Sequence, residues 1–226
     1  LKIYLREFEL PAFAAMVLRV QTAHAQGRAV AVHCVTRVEL AFALAALAEA
    51  GTLPGDRIEH AAVADEHALQ ALAELGVTVV TQPQFIAERG DQYLCDVEAV
   101  DIPLLYRGAG FLRGGIALAA GSDAPYGSTD PWAAMRAAVE RRTREGVQMN
   151  ADECLGPAQA IALFAADPRR PGSGLRELAV GQPADLCLLD VRWEDLCADL
   201  DARHVDLTVC AGRIAYAAAR HAAGPG

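Results

Sequence analysis

The chain has 226 residues, of which 53% are hydrophobic, and a formal net charge of −9 at pH 7. That length buries a sizeable core in one domain, or in one domain with a small annex. The acidic balance and the lack of a basic stripe argue against nucleic acid as a partner, and no apolar run reaches the ~18 residues of a membrane span, so no membrane partner is expected.

The first run, "LKIYL" (Leu1–Leu5), reads as a strand. The chain starts inside it and not at a Met, which reads as a piece of a longer protein. A helix is expected over 11–26, with Pro11 in its first turn and Gly27 just past its end. "AVAVHCV" (Ala29–Val35) is a short apolar strand, and Arg37–Ala50 is a helix ended by Gly51. "RIEHA" at 57–61 is a brief strand, and Asp65 caps a helix that runs to Leu75 and stops at Gly76. "VTVVTQ" at 77–82 is a β-branched strand closed by Pro83.

Residues 84–113 read as irregular with some helix, a long excursion of the kind that carries function. "GIALAAGSD" at 115–123 is a further strand. Asp130-Pro131 opens a helix through about Glu145, and another covers Pro157 to Ala165. After Pro171 the character changes. "LRELAVGQPADLCLLD" and "VDLTVCAGRIAYA" are strand-like with turn signals and no crossover helix between them. The alternation of strands and helices up to about residue 170 predicts an α/β fold with parallel strands. Residues 171–226 then form a small β annex.

Period-two alternation assigns faces to these strands. Lys2 and Tyr4 share one face, against Leu1, Ile3 and Leu5. Ala29, Ala31 and His33 share one, against Val30 and Val32. Ala117, Ala119, Gly121 and Asp123 share one, against Ile116 and Leu118. "RIEHA" fits less well, because Ile58 falls with His60. Bulky residues point towards the helices; small residues, then one polar group, point the other way.

Polar groups at the carboxyl ends of parallel strands mark the active face of a barrel. His33, His60 and Asp123 would converge there from three strands. Two imidazoles and a carboxylate are ligand chemistry for a divalent cation, Zn²⁺ first among them. A cation would also offset the cost of placing the Asp123 carboxylate at the end of an apolar strand. Singly, each residue has a plainer role: His33 and His60 as satisfied core histidines, Glu59 as a helix-facing ion-pair partner, Asp123 as a cap on its own turn, Lys2 as a solvated lysine. Their matching positions on successive strands favour the site.

The lysine strand, "VHC", "RIEHA", the "TQP" strand and "AAGSDAP", in this order, resemble strands four to eight of the amidohydrolase superfamily. "GLRELAVGQPADLCLLD" is similar to that family's segment after the barrel. The nearest branch holds N-substituted formamide deformylases and related metal-dependent hydrolases. The resemblance implies a partial TIM (β/α)₈ barrel, strands four to eight with their helices, over residues 1–170. A small C-terminal β-sandwich segment would occupy 171–226.

It also implies roles. Lys2 would be carbamylated and bridge two metals, His33 and His60 would ligate one of them, and Asp123 would bind metal and act as general acid and base. One or two ions, most readily Zn²⁺, would be the cofactor. The reaction implied is hydrolysis of C–N bonds other than peptide bonds, in an amide, formamide, urea or cyclic amide. Gln82 and Arg89, after the "VTVVTQ" strand, are candidates to bind that small-molecule substrate.

The family's strand-one His-x-His is absent among the six histidines. A missing amino-terminal half-barrel, or a second copy, is therefore an expected partner. The alternative is a catalytically incomplete half-barrel acting as an assembly module. The six cysteines, with no C-x-x-C pair, suit a reducing compartment, and the expectation is cytoplasmic.

Overall fold

Five side chains from five strands form one buried row across the main sheet. Ile3, Val32, Ile58, Val79 and Leu118 are successive partners in register, and none is more than 6% exposed. The strands are β1 (Lys2–Tyr4), β2 (Ala31–Cys34), β3 (Arg57–His60), β4 (Thr78–Thr81) and β5 (Leu118–Ala120). All are parallel, in the order β1-β2-β3-β4-β5. Right-handed crossovers run in one direction place every connecting helix on the same face of such a sheet. The computed structural model describes residues 1–219. Residues 220–226, with His221 and the end of the expected 171–226 segment, lie outside the described residues.

The crossover helices are α1 (Phe13–Ala25), α2 (Arg37–Ala50) and α3 (Glu66–Leu75), then α4 (Gln84–Asp96) and α5 (Gly108–Arg113) between β4 and β5. After β5 come α6 (Pro131–Glu140) and α7 (Pro157–Ala162). Start signals act where the sequence places them. Thr36 and Glu39 close a capping box on α2, Asp65 accepts from the Ala68 amide at α3, and Asp130 accepts from the Trp132 amide at α6. The helices bury Met16, Val20, Leu40, Leu44, Leu47 and Leu72 against the apolar row. Among the described residues no helix is long and apolar enough to cross a membrane.

Three expectations for the α/β part need correction. Helix α1 begins at Phe13, because Ala12 is still extended and leaves Pro11 outside. Residues 84–113 are mostly helical, in α4, a 3₁₀ turn at Ile102–Leu104, and α5. Gly90 there serves close packing: a Cβ would lie 2.6 Å from Thr143 Cγ2 and 2.9 Å from Met149 Sδ. Helix α6 stops at Glu140 because Arg141 turns left-handed, at φ 45°. Its buried guanidinium donates to the carbonyls of Leu105, Tyr106 and Met149, bonds a continued helix would forgo.

The annex has three antiparallel strands in the order β6-β7-β8: β6 (Leu186–Leu189), β7 (Val205–Cys210) and β8 (Arg213–Ala217). A short helix absent from the expected pattern, α8 (Trp193–Ala198), joins β6 to β7. Its Leu196, with Leu200 beyond it, is buried in the main core and ties the annex to α7.

Candidate functional site

The face opposite the apolar row carries the polar groups. Lys2, Ala31, Arg57 and Thr78 are register partners in one row, and Tyr4, His33, Glu59, Val80 and Ala119 in the next. Glu59 is therefore not on the helix side. It stands between His33 and Val80, and Arg57 Nε donates to its Oε1 at 2.7 Å. Tyr4, 58% exposed, leaves this face open to solvent at β1.

Strict alternation would send His60 to the helix side with Ile58. The backbone prevents this by turning left-handed at His60 (φ 72°) and Ala61 (φ 46°). Such φ values cost non-glycine residues about 1 kcal/mol or more, and they concentrate at functional positions. The His60 ring thereby meets that of His33 edge to face, 4.5 Å between centroids. On its other side His33 lies 4.2 Å from the Tyr4 ring, and the Arg6 guanidinium lies 5.4 Å from that ring. Tyr4 was legible only as a neighbour of Lys2 on one face; its contact with His33 follows from the β1–β2 register.

His60 is buried, and its Nδ1 lies 2.6 Å from Gln82 Oε1. Gln82 is buried too, with Nε2 donating to the Val80 carbonyl at 3.2 Å. Both ends of that amide are thus engaged inside the protein. Lys2 sits one row nearer the amino ends than His33, beside Ala31.

Asp123 is half-buried and also left-handed, at φ 51°. Its carbonyl accepts from the amides of Tyr126 and Gly127, while Ser122 Oγ accepts from the Ala124 amide. An Asx turn from the Asp123 carboxylate would need the N–H of residue 125, and Pro125 has none. The turn is closed by other groups.

Helix α4 grips this loop from below. Gln84 Nε2 donates to Gly121 and Ser122, Glu88 accepts from the Ser128 amide, and Arg89 donates to the Tyr126 carbonyl. The Arg89 guanidinium also lies over the Tyr126 ring, 3.8 Å from its centroid.

Burial is the main cause that lowers the pKa of His33 from its usual 6.5; charge on His60 and Lys2 adds to it, and Glu39 and Asp123 oppose it. These groups therefore share one electrostatic neighbourhood. Glu39, 5% exposed, accepts from the amides of Glu7, Val35 and Thr36 and so fixes the turns after β1 and β2.

In kind, the donors suit a borderline divalent cation: two imidazoles from adjacent strands, with a carboxylate and a lysine nearby. As a set they are incomplete, for among the described residues no three of His, Cys, Asp and Glu gather to hold an ion. The buried Thr81 Oγ1 and Gln84 Oε1 have no hydrogen-bond partner within the protein.

Known proteins resemble this chain over part of their length. The chain is 28% identical over 138 residues to the N-substituted formamide deformylase of Arthrobacter pascens, an alignment covering 59% of this chain and 26% of that protein. It spans about a quarter of that relative's length. An uncharacterized metal-dependent hydrolase from Pyrococcus furiosus superposes with a TM-score of 0.59 at 27% identity, over 69% of this chain and 31% of that one. Its counterpart from Pyrococcus horikoshii OT3 superposes with a TM-score of 0.62 at 24% identity, over 72% and 36%. The Amidohydrolase family pattern matches residues 5–216, and the chain belongs to that family.

Proposed function

We propose that this chain is the carboxyl-terminal part of a metal-dependent hydrolase of non-peptide C–N bonds. Residues 1–170 would supply an arc of a (β/α)₈ barrel and 171–226 a β-sandwich segment. The sequential strand order with helices on one face supports the arc, since a barrel is wound in this way. Lys2, His33, His60 and Asp123 would hold the divalent ion, Zn²⁺ first, with Lys2 carbamylated. The observation that carries the reading is the left-handed turn at His60, which faces two imidazoles from adjacent strands at 4.5 Å.

A bound divalent ion supplies Lewis acidity towards a carbonyl and acidifies water. Asp123 takes a proton from the attacking water and returns it to the leaving nitrogen as the C–N bond breaks and the C–O bond forms. The turn around Asp123 does not consume its carboxylate, which suits that role. Amides, formamides, ureas and cyclic amides are the substrate class. The name of the Arthrobacter relative makes an N-substituted formamide the first to assay. Gln82 and Arg89 are engaged within the protein, so substrate contact at Arg89 would be through the outer edge of its guanidinium. Six free cysteines suit a reducing compartment, the cytoplasm.

The test is zinc content of the protein expressed from its complete coding frame. Bound zinc, lost in His33→Ala and in His60→Ala, supports the reading. Lys2→Ala should also lose zinc and regain part of it with a small carboxylic acid. A protein that stays metal-free after reconstitution overturns it. A second reading, an assembly module without catalysis, is favoured by the incomplete donor set, and that same metal-free outcome supports it.

A further inference from the structure

We propose that Gln82 is a positioning residue that fixes the tautomer of His60, leaving Nε2 as the nitrogen offered to a cation. The inference rests on the proposed metal site for its purpose, but not for its chemistry.

Gln82 follows β4 directly, and His60 ends β3, so the two meet across the carboxyl ends of adjacent strands. The Gln82 amide has two unlike ends. One lies 3.2 Å from the Val80 carbonyl, which only accepts; that end is the NH₂. The other is therefore the carbonyl oxygen, and it lies 2.6 Å from His60 Nδ1. An oxygen with only lone pairs to offer is met at that distance by a donor. Nδ1 thus carries the proton, and in the neutral ring the free lone pair is on Nε2.

Burial makes this choice firm. His60 is 3% exposed and Gln82 2%. The opposite tautomer would set a ring lone pair against the Gln82 oxygen with no water to intervene. Rotating the amide to repair that contact would set its oxygen against the Val80 carbonyl. The backbone at Val80 thus selects the amide's orientation, and the amide selects the tautomer. A partner of this kind raises ligand basicity and holds the ring, and its removal costs about 10–100-fold in metal affinity where the histidine is a ligand.

The experiment is a long-range ¹H–¹⁵N correlation spectrum of histidine-labelled protein, metal-free and at mildly alkaline pH, beside zinc affinity from competition with a chromophoric chelator. In the unaltered protein His60 should show a pyrrole-type Nδ1 and a pyridine-type Nε2. Gln82→Leu should move both resonances towards the mixed values of a free imidazole and weaken zinc about 10–100-fold. A pyridine-type Nδ1 in the unaltered protein overturns the proposal. So does an unchanged His60 spectrum in folded Gln82→Leu. The unaltered protein is decisive alone, so misfolding of Gln82→Leu leaves the test standing. The expected tautomer without zinc binding would sink the metal reading and keep this one; zinc binding with the opposite tautomer would do the reverse.

Discussion

The side-chain amide of Gln84 donates to the carbonyl of Ser122 at 3.1 Å, joining the first turn of α4 to the loop that carries Asp123. A second bond from the same nitrogen reaches the Gly121 carbonyl, also at 3.1 Å. Gln84 is buried, so both carbonyls lose their partner on truncation. Gln84→Ala should cost about 1 kcal/mol, the low end for stranded acceptors, because the Gly121 and Ser122 carbonyls are only part-buried and the variant also removes the unpartnered Gln84 Oε1. Backbone amides of Tyr126 and Gly127, which close the turn on Asp123, should exchange with solvent faster. Unchanged exchange at those two amides would show that Arg89 and Glu88 hold the loop without it.

Gly127 is needed for space and not for its backbone angle. A Cβ there would stand 2.5 Å from the Ser122 carbonyl oxygen and 2.7 Å from Phe85 Cε1. Both neighbours are confined, one by the Gln84 bond and the other by burial. Gly127→Ala should therefore destabilise by about 1–3 kcal/mol, as overpacking does. It should also displace the Asp123 turn. A urea midpoint equal to that of the unaltered protein would refute the crowding argument.

Much of the frame was legible because start and stop signals and hydrophobic pattern agreed. Arg37–Ala50 matches α2 end for end, and Asp65 caps α3 as expected. Helix α4 was not legible, since Gly90 and its polar run hid the period and the close approach of Thr143 that requires glycine is tertiary. The polar face was legible on β1, β2 and β5 from alternation alone. On β3 two signals disagreed: the convergence with His33 put His60 on the polar face, whereas strict alternation puts it with Ile58. The structure sides with the convergence through a backbone reversal at His60 that no residue type announces. Glu59 read as an ion-pair partner on the helix side, although alternation from Ile58 and register set it beside His33. Gln82 read as a candidate substrate ligand because it follows the "VTVVTQ" strand, where the family resemblance puts the substrate loops. Its partner is set by the pairing of β3 with β4, a relation between chain segments that local pattern does not contain.

The buried carboxylate of Glu153 tests how the excursion before β5 is held. It accepts from Arg107 Nε at 2.8 Å, from the Gly110 amide at 2.6 Å and from Arg113 at 3.3 Å. Glu153→Leu leaves a buried amide and most of a buried guanidinium without their acceptor, which should cost about 3–5 kcal/mol. Arg107 retains Glu66 and the Ala64 carbonyl, so the loss should fall at the low end. The double variant Arg107→Met/Glu153→Leu should recover part of it, because the charge left behind is removed as well. Additive losses in a double-mutant cycle would mean that the two side chains do not act as a pair.

His33 gives the metal-free protein a pH dependence of defined sign. Its pKa in the fold lies below the usual 6.5, by burial first and then by the charges of His60 and Lys2. As pH falls through 6.5, the unfolded chain therefore takes up the proton before the folded protein does. Stability from this group is complete above pH 6.5 and declines from there down to the folded pKa, below which it is constant. With a chelator present to remove competing metal, the urea midpoint should drop across that window more steeply than it does for His33→Asn. Every other charged group is present in both proteins, so the difference between the two slopes reports His33 together with its coupling to His60. Equal slopes would show that burial between Tyr4 and His60 does not hold the imidazole neutral. A steeper fall in His33→Asn would mean that the ring is held charged, and the opposing pull of Glu39 and Asp123 would then be the stronger.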